Sequence, residues 1–324
     1  MSEAYWTCSH AALDRGTLFL ISGIMNGVGL IINLILLVLL FLLKCKTRIF
    51  IFQLRALIAS NFLCSLIRIA SLYLPTDLLY RPSLFGWIVC HLWSSHYLLF
   101  VSYIFTILTL NFTVGNRAIQ IVCKYQYSFS TSLIGDLAYF VGLGLVSIIV
   151  MLPQAFIFQW DGENCTCLDT NLPYGIVVSK YAEVFARFGL TAVISVIILS
   201  ISCYKIIFWV RNTPTKQLLD TWNLPSLPGT TTEHMESFSR PQGWMTATLC
   251  TVPFSITSLA VSVYQAGYRF VSALGLCSIQ PDTPLYNIDR FLTDIEVVVL
   301  PIIVIVYIPA LRELPWRVCQ KVTS

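Results

Sequence analysis

The sequence predicts an all-α protein: a seven-transmembrane helix bundle followed by a short C-terminal amphipathic helix. Three observations predict it. Of the 324 residues, 56% are hydrophobic and only 11% charged, with a mean hydropathy of +0.76, a balance foreign to water-soluble domains. Seven uncharged or nearly uncharged runs recur along the chain, each long enough to cross a hydrocarbon core as a helix. None alternates apolar and polar residues as a barrel strand does, and an unpaired strand would leave its backbone polar groups unsatisfied in lipid. The chain therefore divides into an extracellular N-terminus (1–16), a membrane domain (17–309), and an amphipathic helix with a cytoplasmic tail (310–324).

The runs are 17–43, 49–74, 88–114, 137–160, 188–210, 244–268 and 291–309. The first is far longer than the apolar core of a signal peptide and reads as a signal-anchor helix. Its C-terminal flank, "KCKTR" at 44–48, fixes the orientation, because lysine and arginine concentrate in cytoplasmic loops. With that loop inside, Lys44, Lys46, Arg48, Arg55, Arg117, Lys124, Lys205, Arg211, Lys216, Arg240, Arg312, Arg317 and Lys321 stand against Arg15, Arg81, Lys180, Arg187, Arg269 and Arg290, a bias of 13 to 6. The N-terminus is then outside. Asn164, in the sequon "NCT", falls in the second external loop and is the expected glycosylation site, whereas the "NFT" of Asn111 lies inside the third run. Cys8, Cys90, Cys165, Cys167 and Cys277 all fall in external segments, where disulfides form, and their odd number leaves one spare. After the seventh run, Leu311, Leu314, Val318 and Cys319 share one helical face in "ALRELPWRVCQKV", which suggests an interfacial helix with Cys319 as its palmitoylation site, a frayed basic tail after Pro315 being the alternative.

The order of these features resembles the rhodopsin-like family of G protein-coupled receptors over nearly the whole chain. "FGWIVC" at 85–90 looks like that family's approach to its third helix, and "NRAIQIV" at 116–122 aligns on its Asp-Arg-Tyr motif with Asn116, Arg117 and Ala118 in the three positions. The interval from Cys90 is two residues longer than the family norm, which calls for either a bulge or a different placement of the motif. Asn33 resembles the conserved asparagine of span 1, Asn61 in "LIASNF" replaces the acid of span 2, Tyr204 stands in span 5, Phe254 in span 6, and Pro301 in "LPIIV" in span 7. The pattern departs where Leu300 and Val304 flank Pro301, where "TSLA" replaces the span 6 proline motif, and where span 4 has no internal tryptophan. The resemblance implies a Cys90 disulfide to Cys165 or Cys167, and a coupling switch built from Asn116, Arg117, Tyr204, Phe254 and Pro301.

Charges at membrane depth are costly unless paired, so they mark functional candidates. Arg68 in span 2 and Asp294 in span 7 are expected to pair, as a structural staple or a ligand anchor. Glu296 lies about one turn before Pro301. It is expected either to stand in for the missing span 2 acid, with Asn33, Asn61 and Thr106 as oxygen donors in a central polar or ion site, or to remain a protonated, hydrogen-bonded acid. Arg68, Tyr97, Tyr264, Gln265 and Asp294 are the candidate ligand pocket. Span 7 contains no lysine for a retinal Schiff base, and "SSHYLLF" in span 3 has no carboxylate for an amine. Asp161, Glu163, Asp169, Asp282 and Asp289 crowd the external segments and would attract cationic or mixed-charge ligands, short peptides among them.

The expected function is G protein-coupled receptor activity at the plasma membrane, not an enzyme's: an extracellular ligand, peptide rather than amine, shifts the helices, and a heterotrimeric G protein reads the change. In the family an acid before the arginine restrains it; Asn116 is neutral, and raised basal activity is expected. A secondary transporter and an invertebrate-type chemosensory receptor are the alternatives, the first favoured by Arg68, Asp294 and Glu296, and disfavoured by the absence of paired broken helices. His10, His91, His96 and His234 are too scattered for a zinc hydrolase. The expected partners are the ligand, the G protein and membrane lipid, with no nucleic acid, no metal and no cofactor.

Overall fold

A computed structural model of the protein describes residues 17–43, 48–74, 84–122, 132–168, 173–212, 250–277, 283–308 and 311. Its helices are α1 (Thr17–Leu42), α2 (Arg48–Tyr73), α3 (Leu84–Ile88), α4 (Tyr97–Val122), α5 (Leu133–Ala155), α6 (Tyr174–Phe188), α7 (Ile194–Asn212), α8 (Thr251–Ala273) and α9 (Pro284–Tyr307). Two π turns, Val89–Ser94 and Gly189–Val193, join α3 towards α4 and α6 to α7. The expected C-terminal helix lies outside the described residues, except that Leu311 is buried in the core, and Cys8 and Cys319 lie outside them too.

Among the described residues, five helical stretches are long and apolar enough to cross a membrane: Thr17–Leu42, Ile51–Tyr73, Tyr97–Gln120, Leu133–Ala155 and the continuous Tyr174–Asn212. The sequence predicts seven crossings. The other two helices, α8 and α9, have 23 and 24 residues, but serine, threonine and glutamine dilute α8, and Asp289, Arg290, Asp294 and Glu296 dilute α9. The outward faces carry exposed Leu20, Ile31, Phe41, Ile134 and Ile149, a surface that water would not tolerate and lipid does. The protein is all-α in its core and built for a membrane.

The helix α4 is the centre. Its spanning window is 67% buried, against 17–33% for the other four, and it packs against α2, α5, α7 and α8. Helix α1 presents a single inward stripe, Ser22, Gly23, Asn26, Gly29, Asn33, Leu36 and Leu40, at the three-and-four spacing of one helix face. Gly29 allows the close approach to α9, since a Cβ there would collide with the Val297 side chain. The apolar half of the stripe joins Leu54, Leu57, Leu110, Leu199, Phe254, Leu300 and Val304 in the main core.

Several expected boundaries move. The fourth helix spans 133–155 and not 137–160, starting where Ser132 caps it by accepting from the Gly135 N–H (3.0 Å). It ends after Pro153, and Trp160 lies in a hairpin strand. The fifth begins at Tyr174 and not 188, because Lys180 and Glu183, read as loop charges, pair inside the helix and are both buried. Arg187, Arg269, Asp289 and Arg290 likewise lie within helices, not loops. The seventh begins at Pro284, with Thr283 as N-cap and the proline at the first helical position, where no donor is needed.

The connection between α5 and α6 is an antiparallel hairpin of β1 (Phe158–Trp160) and β2 (Cys165–Cys167), with Trp160 opposite Cys165. Its turn is held by Asp161, whose Oδ1 accepts from the Glu163 and Asn164 N–H groups (2.9 and 2.6 Å). Gly162 sits at φ +104°, where an L side chain is strained. Exposed Asn164 stands at this turn.

Candidate functional site

Polar groups buried among these helices fall into separate clusters, each with a distinct cause. The first follows from one missing N–H. Pro301 inside α9 cannot donate to the carbonyl four residues earlier, which is that of Val297. That carbonyl instead accepts from the Asn33 amide on α1 (3.2 Å) and the Asn61 amide on α2 (3.1 Å), and Asn61 also donates to Asn33 Oδ1 (3.0 Å). Three helices are tied at one proline-exposed carbonyl. In a membrane such a group has no water to fall back on.

The second cluster joins the same helices. Arg68 Nη2 lies 3.4 Å from Asp294 Oδ1, and the Asn26 amide donates to the same oxygen at 2.7 Å. The expected pairing is present, with Asn26 a member that the sequence reading did not single out. Glu296 does not join Asn33, Asn61 and Thr106 as the ion-site expectation required. Ser258 on α8 donates to its Oε1 at 3.1 Å, while Thr106 donates to the Ser102 carbonyl on its own helix (2.9 Å). The reason is angular: Glu296 and Val297 are adjacent in α9, so their side chains diverge by about 100°, and it is the backbone of Val297 that meets the asparagines.

At the opposite end from the hairpin, Asn116 and Arg117 are both buried, and Arg117 Nη1 is 3.5 Å from Gln120 Oε1. Phe254 and Leu300 lie in the adjoining core. Tyr204 does not: it is 64% exposed and stacks on Phe208, its ring centre 6.2 Å away. The inward face of α7 is Ser195, Leu199, Ser202 and Ile206, so the expected switch tyrosine points away from Arg117. Gln53, which donates to fully buried Asp136 at 3.0 Å, links α2 to α5 near this end and is not visible as a motif.

The hairpin end carries the disulfide. Cys90 is bonded to Cys165, Cα atoms 5.5 Å apart, and Cys167 is disulfide-bonded as well. Cys277, expected as a partner, carries a free thiol and is the spare cysteine. Of the two alternatives for the long interval between Cys90 and Asn116, a bulge is present. The π turn closes with Ser95 N–H donating to the Cys90 carbonyl (3.3 Å), and His96 takes φ 56° before α4 begins. The carbonyl of Ser95, released from the helix, accepts from Gln154 Nε2 (2.9 Å); Gln154 Oε1 in turn accepts from Lys180 Nζ (2.6 Å), which also binds Glu183.

The aromatic pocket candidates separate. Tyr97 is buried against α5, donating to the Ile148 carbonyl (3.0 Å), and Tyr264 donates to the Leu285 carbonyl on α9 (3.1 Å); both fasten helices. Gln265 does line a cavity, together with Phe100, Tyr103, Arg187, Ser262 and Arg269. Of the expected ligand residues it alone lies there. Arg68 and Asp294 belong to the ion pair, and Asp289, expected as an external acid, is buried in α9 at 3.6 Å from Arg269 Nη2. The two arginines were legible only as loop charges; the four-residue spacing of Glu183 and Arg187 was the available sign of a helix there. No protein-family model matches the chain, and no curated protein matches it in sequence.

Proposed function

We propose that the chain is a seven-span receptor of the plasma membrane, with its N-terminus outside, that senses an extracellular ligand and signals to a heterotrimeric G protein. The observation that carries this reading is the pair of ends of the central helix. The turn leading into it is covalently tied by Cys90–Cys165 to the hairpin, and its far end carries buried Arg117, next to Ala118, which packs on residues of α7 and α8. A central helix with a pinned turn at its start and a cation near its far end can couple events at the two ends. Arg117 is buried, so a partner reaches it only when the surrounding helices move. Asn116, where the family places an acid, restrains the arginine by hydrogen bonding at most, and basal signalling is raised accordingly.

The mutual pairing of Arg68 with Asp294 favours structure over a transport path, because both ends of the pair are already occupied. The deciding experiment is expression in cells with a generic G-protein readout, comparing wild type with Arg117→Ala at matched surface levels. Basal signal in wild type and its loss in the variant are expected; a wild type as silent as the variant, across a panel of peptides and small ligands, overturns the reading. Accumulation of substrate in vesicles without any G protein would favour the transporter.

A further inference from the structure

We infer that Cys167 is bonded to Cys8, so that the chain ahead of α1 is bolted to the hairpin beside the bond that ties the hairpin to the approach of α4. Cys90 is bonded to Cys165, and Cys167 is disulfide-bonded as well. The sequence has 11 cysteines. Cys64, Cys203, Cys250 and Cys277 carry free thiols, which leaves Cys8, Cys45, Cys123 and Cys319 as possible partners for Cys167. Three of these belong to the wrong end of the molecule.

Contacts tell the two ends apart. Helix α5 runs into the hairpin at its C-terminal end, and near its start Asp136 accepts from Gln53, close to the start of α2 (3.0 Å). The last turn of α2 therefore lies on the hairpin side, where Tyr73 meets Phe19 of the first turn of α1, ring centres 5.5 Å apart. Cys45 follows the far end of α1 and Cys123 the far end of α4; each helix has 26 residues, a length of about 39 Å. Helix α9 runs beside α1 in the same direction, Asp294 meeting Asn26 and Val297 meeting Asn33, so Leu311 after its end lies at the far side too. The eight residues from Leu311 to Cys319 reach about 29 Å at full extension, short of the roughly 36 Å of α9 alone. Cys8 is the cysteine on the hairpin side. The nine residues from it to Thr17 reach about 30 Å, against about 20 Å for the two helix-to-helix steps from α1 through α2 to α4.

The strand agrees with this pairing. Alternate residues of a strand share a face, and Cys165 and Cys167 are half-buried on either side of exposed Thr166, so one face of β2 receives both bonds. Forming the bond passes two electrons and two protons from the thiols of Cys8 and Cys167 to a disulfide-bearing oxidant of the secretory compartment. The assignment rests on the receptor reading for one thing, the placing of the hairpin on that oxidising side. Its consequence is that the start of α1, the approach to α4 and the α5–α6 connection form one cross-linked surface, with less freedom for the unfolded chain to gain.

The test maps the bond in the full chain, expressed in animal cells, with free thiols blocked by N-ethylmaleimide before the membrane is dissolved. After glycosidase, tryptic digestion without reduction should yield residues 1–15 joined to the fragment that carries Cys165 and Cys167, and reduction should set them free. Backbone fragmentation at Thr166 then assigns the link to Cys167. On a Cys277→Ser background, which removes the spare thiol, Cys8→Ser should leave Cys167 alkylated and Cys90–Cys165 intact. The wild-type map decides the matter even where that variant does not fold. Residues 1–15 recovered with Cys8 alkylated, Cys167 joined to Cys277 or to a second chain, or Cys167 still blocked to alkylation in the variant each overturn the assignment. Alkylation of Cys8, Cys90, Cys165 and Cys167 together would put the hairpin on the reducing side and sink the receptor's orientation with it. The bond found in a chain that gives no G-protein signal leaves this pairing standing and counts against the receptor alone.

Discussion

At the scale of single residues, the most informative atom is the Val297 carbonyl. Pro301 deprives it of a helical donor, and Asn33 and Asn61 replace that donor from two other helices. The two effects are coupled, and the coupling is measurable. In wild type, Asn61→Leu removes one of the two amides at that carbonyl and should lower stability by about 1–2 kcal/mol. With Pro301→Ala, the alanine N–H serves Val297 within α9, and the same Asn61→Leu substitution should cost about 1 kcal/mol less. Melting of the four proteins in detergent gives the cycle directly; strictly additive costs would show that the asparagines bind the carbonyl incidentally. Gly29 belongs to the same contact. A side chain there meets Val297 and would push α1 off α9.

At the scale of elements, the hairpin behaves differently from the helices because water reaches it. Asp161 is exposed, and the backbone N–H groups of Asn164 and Glu163 hold its carboxyl below the ordinary carboxylate range. A pKa lowered by folding means that the stabilisation is present at neutral pH and fades as pH falls through the carboxylate range, below about 4. Protection factors for amide exchange across 158–167, taken against the intrinsic rate at each pH, should therefore fall in wild type between pH 6 and pH 3, and less so in Asp161→Asn, whose side chain cannot titrate. An equal response in both would remove the turn carboxylate from the account. The elements also show how much was legible. The long apolar runs gave the positions of α1, α2 and the body of α4 from composition alone, since lipid tolerates little else. The start of α6 was hidden because Lys180, Glu183 and Arg187 read as solvated, and only burial in a helix pairs the first two. Tyr204 was singled out by its motif, but spacing along a chain does not say which way a side chain faces, and α7 turns it outward. The Arg68–Asp294 pair was foreseen because two opposite charges at one depth have few other partners.

At the scale of the whole molecule, the outer faces are as apolar as the core, and the buried polar groups collect between the helices, where they pair with one another. The orientation proposed from the sequence bias is tested by Asn164: placed on an exposed turn, it should carry a glycan if the hairpin is lumenal. A mobility shift in wild type that is absent in Asn164→Gln and after glycosidase is the expected result; labelling of the hairpin from the cytoplasmic side would invert the topology and with it the receptor reading. The interruption between α3 and α4 has a consequence at this scale. Each residue rotates a helix by about 100°, so the π turn resets the angular phase of everything before it relative to everything after it. Removing one residue between Val89 and Ser94 would leave the α4 packing on α2, α5 and α7 as it is, yet swing Cys90 away from Cys165. The interruption thus works as a vernier: the segment that carries Cys90 can be dialled round without disturbing the helix that holds the bundle together.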